Sequence, residues 1–208
     1  MSRWADAVGA PAPSVARRGI AAIDWILRRR GGVVEFSDHP ECILRVAYTW
    51  APPGVPLRGD RQVRAGAPVL ELHLWNERLR SVASAPLTLG RGRTLYVEFV
   101  TSLRLLAEFC VSDSHCGSVE AVHATMGFFS VRELGQAREL FERLGFTFSV
   151  GAMPDPRWWR HAFWESVYSW WLLWAYSPAG TEGRRFSQMA RCDIWMPFEA
   201  FRARYGGR

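Results

Sequence analysis

Hydrophobic and polar positions alternate most strictly over Val69–Trp75. Leu70, Leu72 and Leu74 fall on one side and Glu71, His73 and Trp75 on the other. Period two is the signature of a strand with one face in the core. Val33–Phe36 and Cys42–Trp50 read as two earlier strands joined by a turn at Ser37–Pro40, and Pro52-Pro53-Gly54 ends the second. Two turn signals, Arg58-Gly59-Asp60 and Arg64-Ala65-Gly66-Ala67-Pro68, bracket a further short apolar-alternating piece.

The period then changes. Residues 81–93, with Pro86, Gly90 and Gly92, read as a loop. From Thr94 to about Val111, Leu95, Phe99, Leu103, Leu106 and Cys110 recur near one helical face. Ser112–Gly117 reads as a turn and Val119–Phe129 as a strand. Arg132–Leu144 is an amphipathic helix closed by Gly145, and Phe146–Val150 is the strand after it. Arg157–Tyr176 reads as a helix apolar nearly all round, Phe186–Trp195 as a last strand, and Pro197–Tyr205 as a terminal helix with proline in its first turn. Near the other end, Ser14 caps a helix that runs through Ile26 and Leu27 to Arg28–Arg30 and stops at Gly31-Gly32. Residues 1–13, rich in Ala and Pro, are expected to be loosely ordered.

No period of 20–50 residues repeats, and no linker divides the chain. The expected fold is α+β: a single domain over residues 14–208, with a mixed or mostly antiparallel sheet and helices packed against it.

Composition narrows the chemistry. All 26 basic residues are Arg. The absence of lysine excludes lysine Schiff-base enzymes and the Walker A phosphate loop. The net charge of +6 favours acidic partners. However, the arginines are scattered, with no nucleic-acid-binding motif beside them, so nucleic acid is not the expected partner. The apolar stretch Gly19–Leu27 is broken by Asp24 and followed by three arginines, unlike a signal peptide, and no apolar run is long enough to span a bilayer. A cytoplasmic location, peripheral to the inner membrane if membrane-associated at all, is the expectation. Cys42, Cys110, Cys116 and Cys192 form no C-x-x-C pair and read as buried small apolar residues.

Four constellations carry candidate chemistry. Glu71 and His73 share a strand face, with Asn76 just beyond its end. A carboxylate two residues from an imidazole can orient it for acid–base work, line a polar ligand site, share a metal, or form a structural hydrogen bond. Cys110, Asp113, His115 and Cys116 are metal-capable types close together, but at no recognised zinc spacing. Arg157, Trp158, Trp159 and Arg160, with Trp164, Trp170, Trp171 and Trp174 beyond, suit an amphiphilic ligand or a bilayer interface, or else a buried helix. The fourth runs from His123-Ala124-Thr125 to Leu144-Gly145-Phe146 and is similar to one βαβ module of the vicinal-oxygen-chelate superfamily. That similarity implies a metal-ligand role for His123; the family's second module has no counterpart in this sequence. No nucleophile elbow, H-E-x-x-H, G-x-G-x-x-G or kinase signature is present.

The run Arg58-Gly59-Asp60 through Gly66-Ala67-Pro68 to Glu71-Leu72-His73-Leu74-Trp75-Asn76 resembles the core motif of YkoP-like domains. Leu144-Gly145-Phe146, Ile194-Trp195-Met196 and Arg204-Tyr205-Gly206 also resemble that family. At the second turn, Gly66-Ala67 departs from the family's glycine-aspartate. The family is often joined to polysaccharide deacetylase domains, so the resemblance implies a bacterial cell-envelope context. It supplies no catalytic residue.

The expected function is therefore a non-catalytic accessory domain that engages an anionic lipid or glycan precursor. Arg157, Trp158, Trp159 and Arg160 would meet the amphiphile, while Glu71, His73 and Asn76 would form a polar pocket. No cofactor and no metal is expected. A separately encoded polysaccharide deacetylase is a candidate partner. The alternative is a small enzyme using His73 as base and Glu71 as its orienter.

Overall fold

The computed structural model describes Arg29 and residues 32–57, 62–75, 89–150 and 189–207. The fold is α+β. In chain order its elements are β1 (Leu44–Trp50), β2 (Val55–Pro56), β3 (Gln62–Val63), β4 (Pro68–Leu74), α1 (Leu89–Ser112), β5 (Ala121–Ser130), α2 (Leu134–Arg143), β6 (Thr147–Val150), β7 (Met189–Pro197) and α3 (Phe198–Tyr205). Short 3-10 turns at Ser114–Ser118 and Val131–Glu133 lead into β5 and α2.

The main sheet is mixed, in the order β1-β4-β5-β7-β6. β4 and β5 run parallel, joined across α1; the other neighbours are antiparallel. Because β7 lies antiparallel between β5 and β6, the segment β5-α2-β6 is a split βαβ unit. β2 and β3 form a separate small hairpin.

Alternation sorts the sheet into two faces. One carries Leu44, Val46, Leu70, Leu72, Val122, Ala124, Ile194 and Met196 into the main core. Leu103 and Leu106 of α1, Phe141 of α2 and Phe201 of α3 pack onto it. The other face carries Arg45, Ala47, Val69, Glu71, His73, Ala121, His123, Thr125, Asp193 and Trp195 in register. At one end of this second face the β2–β3 hairpin closes a smaller cluster of Ala51, Val55, Leu57, Val63, Ala67, Val69, Ala121 and Trp195.

Two expectations shift. The sequence segment Val33–Phe36 contributes only a single bridge, Val34 to Val46, rather than a strand. The loop expected over residues 81–93 gives way at Leu89, where α1 begins a turn early. Gly90 and Gly92 read as breakers, yet each costs a helix only about 1 kcal/mol. Leu95 and Phe99, packed against the core, support the first turns. At the end of α2, Gly145 takes φ +92° and the chain reverses into β6. The expected helices over residues 14–30 and Arg157–Tyr176 lie outside the described residues.

Candidate functional site

The polar face of the sheet gathers the chemistry. Glu71 and His73 project from β4, with side chains 30% and 39% exposed and Glu71 Oε2 3.8 Å from His73 Nε2. That distance is an ion-pair contact and too long for a hydrogen bond. Hence the structural hydrogen bond weighed from sequence does not form, and both groups keep hydrogen-bonding capacity toward the outside. Asn76, the third member expected here, lies outside the described residues, as do Arg157, Trp158, Trp159 and Arg160.

Arg45 on β1 is the register partner of His73 and is almost fully buried. Its guanidinium lies 4.2 Å from the centre of the Trp75 ring and 3.1 Å from Glu35. The stacking and the ion pair together hold a cation beneath the rim of the site.

Next along the sheet, His123 is the register partner of Glu71. It is buried and stacks on Trp195, with ring centres 3.8 Å apart and planes 20° from parallel. Its Nε2 lies 3.3 Å from Asp193 Oδ1 and 3.3 Å from Thr125 Oγ1. The Thr125 hydroxyl donates to the same Asp193 oxygen at 2.6 Å. Burial pushes the Asp193 carboxyl up. The hydrogen bonds from His123 and Thr125 outweigh it, helped by the charges of His123 and Arg191, and hold it below the usual carboxylate value. Asp193 is thus a buried carboxylate that fixes the imidazole through one ring nitrogen while Trp195 fixes its plane.

The metal-ligand role that the vicinal-oxygen-chelate resemblance implies for His123 finds no partner set. Among the described residues, no group of three or more His, Cys, Asp or Glu side chains is arranged to hold a metal ion. The Cys110–Cys116 cluster likewise does not form such a group. Its thiols face one another beside Tyr48, and Asp113 caps the 3-10 turn by accepting from the His115 backbone N–H at 2.8 Å.

Sequence reasoning missed Thr125 and Asp193. Alternation already puts Thr125 on the His123 side of β5. What sequence lacked was the pairing of β5 with β7, which sets Asp193 opposite Thr125 and Trp195 opposite His123.

No protein-family model matches the chain, and no curated protein or solved structure matches it either. Among the described residues, no helix is long and apolar enough to cross a membrane.

Proposed function

We propose that this chain is a non-catalytic binding domain for the hydroxyl-bearing part of a bacterial cell-envelope glycan precursor, engaged on the polar face of the sheet. The observation that supports it is the half-exposed Glu71–His73 pair standing beside an internally satisfied floor of His123, Thr125 and Asp193. A carboxylate that accepts and an imidazole that donates or accepts suit vicinal hydroxyl or acetamido groups. The floor is rigid because stacking and hydrogen bonds fix it, which lowers the ordering cost of binding. The resemblance to YkoP-like domains adds the envelope context, with a separately encoded polysaccharide deacetylase as the partner.

The test is calorimetric titration of the full chain with soluble N-acetylglucosamine oligomers, alongside co-sedimentation with anionic vesicles at low and moderate salt. Glycan binding that disappears in Glu71→Ala and His73→Ala proteins of unchanged melting temperature supports the reading. Binding to vesicles alone overturns it and moves the ligand contact to Arg157, Trp158, Trp159 and Arg160.

The second reading is acid–base chemistry with His73 as base, which the half-exposed position of His73 beside Glu71 allows once the 3.8 Å gap closes to a hydrogen bond on substrate binding. It requires substrate turnover, lost in His73→Ala, rather than simple saturable binding.

A further inference from the structure

Cys110 is in the last turn of α1, and Cys116 is in the 3-10 turn that feeds β5. Their Sγ atoms are 2.7 Å apart, well inside the sum of two sulfur van der Waals radii. A disulfide requires about 2.05 Å. The two sulfurs therefore need only a small approach to reach bonding distance.

The two thiols share a small polar cluster with Tyr48 and Asp113. The Tyr48 hydroxyl lies 3.4 Å from Cys116 Sγ and donates to Asp113 Oδ2 at 3.0 Å. When Cys116 is the thiolate, the Cys110 S–H is its nearest donor. That hydrogen bond lowers the Cys116 thiol against the opposing effect of burial, while Cys110 is held high. Cys116 itself is buried, but His115 and Gly117 on either side of it are exposed. Cys42 and Cys192, the other two thiols, are buried among strand residues, and burial pushes Cys192 up to about 12.

We propose that Cys110 and Cys116 form a reversible redox pair that closes to an intramolecular disulfide under peroxide. The Cys116 thiolate attacks one peroxide oxygen, forming a sulfenic acid; the other oxygen leaves as hydroxide and takes a proton to become water. The Cys110 sulfur then attacks the Cys116 sulfur. The S–S bond forms, the S–O bond breaks, and the hydroxyl leaves with the Cys110 proton as a second water. Two thiols and one hydrogen peroxide give one disulfide and two waters, and a dithiol such as dithiothreitol reverses the change. The bond would tie the end of α1 to the turn ahead of β5, the strand that carries His123 and Thr125.

The experiment treats the full chain with hydrogen peroxide, then denatures it and alkylates with N-ethylmaleimide. The expected result is a protein with two alkylated cysteines instead of four, a disulfide-linked 110–116 peptide on mapping, and recovery of all four after dithiothreitol. A Cys42→Ser/Cys192→Ser protein should retain the disulfide, and a Cys110→Ala protein should lose it. Four alkylated cysteines after peroxide, or a disulfide mapped to Cys42 or Cys192, would overturn the proposal. Both readouts come from the unsubstituted chain, so they stand even if a variant fails to fold.

Discussion

Glu71 on β4 and His123 on β5 are register partners across the parallel β4–β5 ladder, so their side chains leave the same face of the sheet. Fifty-two positions of sequence, including the whole of α1, separate them. The pairing joins a rim that faces outward to a floor that is already satisfied, and the expected effects of substitution differ accordingly.

The floor is structural as well as chemical. Asp193→Asn keeps the shape but replaces the carboxylate that accepts from Thr125 and His123, and should cost about 1–3 kcal/mol at neutral pH. Because Asp193 sits below its ordinary value of 3.8 when folded, its contribution is complete above that value and is lost as the pH falls through the folded one. Urea midpoints of the two proteins should therefore differ at pH 7 and converge in strong acid.

Ser102, fully buried in α1, is a hinge of hydrogen bonding between helix and sheet. Its hydroxyl accepts from the Ile43 N–H at 2.8 Å and donates to the Glu98 carbonyl at 2.7 Å. Ser102→Ala leaves the Ile43 N–H without this acceptor. Denaturant unfolding should show a loss of about 1–3 kcal/mol.

One turn away, Glu98 is raised above its ordinary value of 4.5, first by burial and then by the charge of Glu41. Its Oε2 is buried with no hydrogen-bond partner. A carboxyl raised on folding stabilises below its unfolded value, and that stability is lost as the pH rises through the folded one. Glu98→Gln should thus melt at a higher temperature than the parent at pH 7, and the difference should vanish below pH 4.5.

Gly145 holds φ +92°, and a Cβ there would meet Met196 Cε at 3.2 Å and Arg204 Cδ at 3.3 Å. Backbone strain and crowding act together. Gly145→Ala should destabilise by at least about 1–2 kcal/mol, read as a lower melting temperature.

Much of this was legible in the alternation. Leu70 and Leu72 are in the core, Glu71 and His73 are half-exposed, and the helix ending at Gly145 lies where the pattern put it. Alternation along β5 also sets Thr125 on the His123 side, although Thr125 was not read as a site residue. Strand order was the illegible part. A two-residue period says which side chains share a face but not which strand lies alongside, so Asp193, 70 positions from His123, could not be matched to it. The start of α1 was hidden for a different reason: Gly90 and Gly92 carry a local signal that packing of Leu95 and Phe99 overrides.

The most direct test of the glycan-binding reading follows the histidine rings by proton–nitrogen NMR while N-acetylglucosamine oligomers are added. The expected result is a saturable movement of the His73 ring signals, with His39 and His115, exposed elsewhere, unmoved. Movement confined to His39 or His115, or no movement of any ring at ligand concentrations that saturate the calorimetric signal, would contradict the reading.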